Sequence, residues 1–335
     1  VARRPSPRDE GSELPLAMVR KRAASHEAQA KGTRAAVLLV HGYGQNRYAW
    51  HLPCRSFGNF LAQAGFDVFN LDLRGHGRSR HLGARLPKSL TDYVEEDLPI
   101  AIDEVLRHSE HERVFLIGHS LGGLISYCAV ASRPAPIAGV ISLGSPYHFT
   151  RDSRTLRWVG DLMLGIDRRF PLSETALPLK HVGEAFRLAR VWMESVLFPL
   201  PIRGYSARSM EPRVLGQHMA LAMDRGSVAV MRDMFQQAAE SRASGHRLGV
   251  LYGYAERFEQ LALPLLVIAG ENDDLAPPTA VRPAYELSRS PDKHYQVFAQ
   301  GHIDLIMGRE APNTVWPRIR DWITERAPTP TNTES

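Results

Sequence analysis

Six short apolar runs, each closed by turn-forming residues, constrain this chain more than any other feature. They fall at residues 35–40, 66–71, 113–117, 139–143, 265–269 and 295–298. Runs this short read as strands rather than helices. Because they are continuously apolar instead of alternating, they predict a sheet covered on both faces, which is the habit of parallel sheets. Helical stretches separate the first runs. They span residues 55–64, then 94–108 with Leu98, Ile102, Val105 and Leu106 on one face, then 121–132. Strands alternating with helices predict a doubly wound, mostly parallel α/β sheet.

The alternation stops after Gly144 and resumes at Leu263. Between them the sequence predicts helices at 157–165, 182–197, 213–222 and 227–239, separated by Pro171, Pro178, Pro199, Pro201 and Gly204. The expected organisation is an α/β core from 16–150 and 259–326, interrupted by a helical cap at 151–258. Polar tails are expected at 1–15 and 327–335. The insertion is rich in Trp158, Leu162, Met163, Leu164, Phe170, Phe186, Trp192, Met193, Val196, Leu197 and Phe198. Most of these are expected to pack as a small helical core, a minority to line an acyl pocket.

Composition narrows the function classes. Of the 335 residues, 44% are hydrophobic and 23% charged, which excludes a disordered or fibrous chain. The net charge of +5 comes from dispersed Arg, not from basic blocks interleaved with aromatics, so no nucleic-acid partner is expected. Cys54 and Cys128 permit at most one disulfide and no zinc cluster. Both are expected to be inert, Cys128 as a buried residue. There is no Cys/His spacing for a metal and no G-x-G-x-x-G for a dinucleotide, so no cofactor is expected. No run approaches the roughly 18 apolar residues of a membrane span. Residues 1–12 carry no apolar signal core. The compartment stays open between the cytoplasm and export after signal removal, and the oligomeric state is unspecified.

The most specific motif is Gly118-His119-Ser120-Leu121-Gly122, placed between a predicted strand and a predicted helix. A G-x-S-x-G in that context is a sharp turn that lifts the serine hydroxyl off the sheet edge. The helix beginning there adds free amides and a partial positive charge that favour an oxyanion. Ser120 is therefore the expected nucleophile. Upstream, the run 35–40 leads into His41-Gly42-Tyr43-Gly44, a glycine-bearing loop at the carboxyl edge of the sheet, where doubly wound folds bind ligands. The backbone amides of Tyr43 and Leu121 are the expected oxyanion hole. His41 is expected to brace the loop.

A serine nucleophile needs a base, and the base needs an orienting carboxylate. His302, in Gln300-Gly301-His302, lies just past the last strand run and is the expected base. His76 and His51 lie in loops, and His119 adjoins the serine too closely to fold back onto it. The acid is expected among Glu271, Asp273 and Asp274, just past the run 265–269, with Asp273 preferred, Asp274 the alternative and Glu271 third. Asp304 is too near His302 in the chain to orient its ring.

These motifs, in this order, together with Asp72-Leu73-Arg74-Gly75-His76-Gly77-Arg78-Ser79, resemble the serine α/β-hydrolases. The likeness covers roughly residues 35–150 and 260–325. It implies a structural role for Asp72 and Ser79, and it places the family's acid on Asp273. The stretch from Trp50 to Leu61 is similar to acid lipases. The stretch from His302 to Pro312 is similar to those lipases and to polyhydroxyalkanoate synthases. The synthases carry Cys as nucleophile, where this chain has Ser120. Haloalkane dehalogenases and epoxide hydrolases carry Asp there. The resemblance implies hydrolysis of an apolar small-molecule acyl ester. Acyl transfer, thioester hydrolysis and C–C bond hydrolysis by the same triad are alternatives, and a non-catalytic binding protein is a remote one.

Overall fold

The computed structural model describes residues 14–23, 32–169, 176–179, 181, 204–246 and 249–327. Among them, one sheet is built from β1 (Ala17–Lys21), β2 (Ala36–Val40), β3 (Asp67–Asp72), β4 (Val114–His119), β5 (Ile137–Leu143), β6 (Leu265–Gly270) and β7 (Lys293–Phe298). Their spatial order is β1-β3-β2-β4-β5-β6-β7. β1 runs antiparallel to β3 and every other neighbouring pair is parallel. The six predicted runs thus all lie in one mostly parallel sheet.

The continuous apolar runs are explained by the two cores they serve. Successive side chains of a strand point to opposite faces. In β2, Ala36, Leu38 and Val40 enter one core while Val37 and Leu39 enter the other. The helices flanking the sheet are α1 (Phe57–Gln63), α2 (Leu98–His108) and α3 (Leu121–Ser132). α2 and α3 supply Leu98, Ile102, Val105, Leu124 and Ile125 to the first core. α1 supplies Phe57 and Leu61 to the second. α3 is buried on nearly every side, which suits its small residues. The helix predicted from residue 94 begins as a π turn over Tyr93–Asp97, and α2 proper starts at Leu98.

β1 was not among the predicted strands, and Leu14, placed in the tail by the sequence reading, is buried. The strand is pinned to β3 through Arg20, whose guanidinium donates two bonds to the Asp67 carboxylate at 2.8 and 2.6 Å.

Between β5 and β6 the described residues include α4 (Arg154–Arg169) and α5 (Val228–Ala243), a short helix over Pro212–Gln217, and the two-residue strands Ala176–Leu177 and Gly226–Ser227, which pair antiparallel. The helix predicted at 182–197 lies outside the described residues, as do Phe170, Phe186, Trp192, Met193, Val196, Leu197 and Phe198. One expectation is corrected: Trp158 and Leu162 do not join a helical core, being 66% and 50% exposed. α4 buries Leu156 and Gly160 instead, with Gly160 against Phe235 of α5. Trp158 and Leu162 fall one turn apart on the other face. Beyond β7 the chain ends the described region with α6 (Val315–Thr324), which buries Trp316, Ile319 and Trp322 in the second core.

Asp72 and Ser79 are structural. The Asp72 carboxylate accepts the amides of Arg47 and Arg78, each at 2.8 Å, and pairs with the Arg47 guanidinium. The Ser79 hydroxyl donates to the Asp72 carbonyl and accepts the amide of Ala17.

Candidate active site

Ser120 joins the end of β4 to the start of α3 with φ 53° and ψ −121°. A serine avoids this region unless its surroundings force it there. The forcing comes from close packing. A side chain on Gly122 would collide with the carbonyls of Val40, at the end of β2, and of His41 just past it, and one on Gly118 would collide with the backbone of Gly122 and Gly123. The Ser120 amide is held by the Leu143 carbonyl at 2.9 Å. Leu121 opens α3, so its amide has no acceptor within the helix.

Asp273 lies just past β6 and His302 just past β7. The structure brings them together: His302 Nδ1 stands 2.7 Å from Asp273 Oδ2, and both side chains are buried. A carboxylate can only accept, so Nδ1 carries the proton and Nε2 is left as the acceptor. The other oxygen of Asp273 takes the amides of Leu275 and Ala276 at 2.9 and 2.7 Å, which fixes the carboxylate plane. Burial by itself would lower the His302 pKa. The Asp273 charge and hydrogen bond outweigh it and raise the pKa above 6.5.

The other candidate acids are engaged elsewhere or exposed. Asp274 accepts the amide of Gly204. Asp304 accepts the amides of Ser206 and Gly301 and the hydroxyl of Ser209. Glu271 is exposed. His76 and His51 are occupied by the Arg74 carbonyl and the Ser56 hydroxyl.

The serine turn and the His–Asp pair meet in one place. His119, one residue before the serine, bonds through Nε2 to the His302 carbonyl at 3.1 Å, and the two imidazole rings are 4.6 Å apart. Gly144, next to the residue that holds the Ser120 amide, packs against the bond between His302 and Asp273.

Tyr43 lies in the loop after β2. His41 braces it as expected: its Nε2 accepts the Leu73 amide, which leaves Nδ1 to donate to the Gly42 carbonyl at 2.9 Å. The Gly42 amide donates to Gln45 Oε1, and the Gln45 amide returns to the Gly42 carbonyl. The loop is also stitched to the segment between β5 and β6. Asn46 donates its amide to the Ala222 carbonyl, Asp224 donates its amide to the Gly44 carbonyl, and the Tyr43 hydroxyl donates to the Ser227 carbonyl. Sequence reasoning missed Gln45, Gly144 and Asp224. Gly144 alone left a signal, as the glycine closing the fourth apolar run.

Cys54 and Cys128 are free thiols, the latter buried. Among the described residues, no group of three or more His, Cys, Asp or Glu side chains is placed to hold a metal, and no helix is long and apolar enough to cross a membrane.

Comparison with known proteins gives the family of the chain. The chain is 26% identical over 311 residues to a poly(3-hydroxyalkanoate) polymerase subunit of Haloferax mediterranei, covering 88% of this chain and 60% of that protein. The chain spans about three-fifths of the length of this relative and of its Haloarcula marismortui counterpart. It is 25% identical over 290 residues to a monoacylglycerol lipase of Mycolicibacterium smegmatis, covering 87% and 88% of the two chains. The solved monoacylglycerol lipase of Paleococcus ferrophilus superposes with a TM-score of 0.64 at 21% identity, over 93% of this chain and 99% of the other. A family model described as alpha/beta hydrolase fold matches residues 35–308. This chain is a member of the alpha/beta hydrolase fold family.

Proposed function

We propose that the protein is a serine hydrolase that cleaves carboxylic esters with an apolar acyl group, using Ser120, His302 and Asp273, beneath a cap formed by residues 151–258. The observation that carries this reading is the buried bond between His302 and Asp273, set beside a serine held at positive φ. His302 Nε2 takes the Ser120 proton as the hydroxyl oxygen attacks the ester carbonyl. Asp273 holds the tautomer and stabilises the imidazolium. The amides of Tyr43 and Leu121 receive the oxyanion, each worth about 3 kcal/mol of transition-state stabilisation. His302 returns the proton to the leaving alcohol, and water repeats the sequence on the acyl-enzyme.

Ester hydrolysis agrees with the lipase among the relatives. The two polymerase subunits favour a second reading, acyl transfer to an acceptor other than water, for which the same serine, base and acid would serve. A panel of esters, thioesters, amides and lactones, run on the wild type and on Ser120→Ala, tests the serine, and the ratio of free acid to transferred acyl product with an added alcohol acceptor decides between the two readings. Ester turnover that disappears in Ser120→Ala, together with fluorophosphonate labelling of the wild type only, supports the proposal. Undiminished hydrolysis by the variant removes the serine, and no labelling or turnover at all would leave a binding protein.

A further inference from the structure

We infer that Asp224, contributed by the segment between β5 and β6, is a positioning residue for the oxyanion loop: its carboxylate holds Asn46 and its backbone amide holds Gly44, so that the Tyr43 amide faces the developing charge. This inference rests on the hydrolase reading above.

Asp224 is 4% exposed, yet its carboxylate is saturated with donors from three parts of the chain. Oδ2 accepts the Gly77 amide at 2.8 Å and Asn46 Nδ2 at 3.3 Å. Oδ1 accepts Arg80 Nη1 at 2.8 Å and the Arg225 amide at 2.9 Å. Its own amide donates to the Gly44 carbonyl at 2.7 Å. Two residues of the loop, Gly44 and Asn46, thus hang from one aspartate.

Asn46 is locked in turn. Nδ2 also donates to the Leu221 carbonyl, Oδ1 accepts the Tyr48 amide, and its own amide reaches the Ala222 carbonyl. Tyr43 sits just upstream, its hydroxyl on the Ser227 carbonyl and its ring against Gly226. Residues 43–46 are thus held largely by residues 221–227, while His41 and Gly42 are braced separately by Leu73 and Gln45. Burial would raise the Asp224 pKa, but the Gly77 amide, His76, the Arg225 amide and Arg80 hold it below the usual carboxylate range. A neutral amide cannot replace this acceptor, because one of its two ends would point a donor at another donor.

A purely structural contact would behave differently, and the same segment supplies a control. Asp233 also ties it to the core, through the Leu90 amide at 3.1 Å, but touches nothing in the oxyanion loop. Asp224 further lines a cavity of about 390 Å³, shared with Asn46, Arg80 and Leu221, large enough to admit a small carboxylate.

The test compares Asp224→Asn, Asp224→Gly and Asp233→Asn with the wild type on a p-nitrophenyl ester and on phenylboronic acid, whose adduct with Ser120 places an oxygen in the hole. Misplacing the loop by about 1 Å should cost Asp224→Asn on the order of tenfold to a hundredfold in kcat. KM should change little, and affinity for the boronate should fall in parallel with kcat. Formate should restore part of the kcat of Asp224→Gly and leave Asp233→Asn unaffected. Wild-type kcat and boronate affinity in Asp224→Asn, with only a thermal shift like that of Asp233→Asn, would overturn the inference. Should Asp224→Asn not fold, Asp224→Glu carries the same test, a lowered kcat at unchanged KM supporting it and a wild-type kcat overturning it. A wild type that hydrolyses no ester removes the hydrolase reading itself; an active wild type with an indifferent Asp224 removes only this inference.

Discussion

Gly144 lies directly against the His302 imidazole: a Cβ at Gly144 would stand 3.1 Å from His302 Nδ1 and 3.0 Å from Asp273 Oδ2. Its φ is +53°, a conformation that an alanine tolerates poorly. Gly144→Ala should therefore act twice. The backbone strain should cost on the order of 1 kcal/mol of stability, and the added methyl should wedge at the His302–Asp273 bond. We expect a lowered melting temperature together with a loss of kcat larger than any change in KM. A kcat equal to that of the wild type would mean that the pair yields without consequence and does not depend on this glycine.

With His302 as the proposed base, its raised pKa should set the acid limb of the pH profile. A general base works only when neutral, so a pKa above 6.5 moves the onset of kcat/KM to higher pH than a free imidazole would give. Asp273→Asn removes the main group that raises it and keeps the burial that lowers it. The variant should lose most of its rate, and the limb of its residual activity should move to lower pH. Profiles of kcat/KM for both enzymes check the sign, and a limb that stays in place would separate Asp273 from the titration of the base.

The backbone at Ser120 predicts an effect on stability in the opposite direction to that on activity. At φ 53° any side chain is strained, and glycine is not. Ser120→Gly and Ser120→Ala should both be inactive on esters, but the glycine variant should be the more stable by about 1 kcal/mol. Thermal unfolding of the two proteins decides, and equal midpoints would show that the turn stores no strain.

The parts of this molecule that were legible in its sequence are those whose physics is local. A strand buried on both faces tends to be continuously apolar, and β2 to β6, buried almost throughout, announced themselves in that way, while β7, a half-buried edge strand, still left a short run at 295–298. β1 did not, because Arg20 and Lys21 end a strand that is exposed on one side and held by Asp67, a partner 47 residues away. The meeting of His302 with Asp273 near the Ser120 turn was readable because each residue follows a strand, where side chains reach the sheet edge. Asp224 was not, since its meaning lies wholly in its donors, among them Asn46, 178 residues distant. Trp158 and Leu162 misled for a related reason. Periodicity shows that α4 has an apolar face, but what covers that face is decided by tertiary packing.

The loop after β3 offers the sharpest test of stability. Arg74 is nearly buried and ion-paired to Asp97 at 2.6 Å and to Glu96 at 2.7 Å, and its backbone amide also donates to Asp97 at 2.8 Å. Asp97 is fully buried, and burial raises its pKa despite the guanidinium beside it. Arg74→Ala would leave that carboxylate with an amide as its remaining partner from this loop, and removing one half of a buried ion pair typically costs about 3–5 kcal/mol. Arg74→Ala/Asp97→Asn should recover a large part of the loss, because no uncompensated charge then remains. Denaturant unfolding of the two single variants and the double variant gives the coupling. Additive losses would show that Arg74 stabilises the loop by packing alone and that its charge is dispensable.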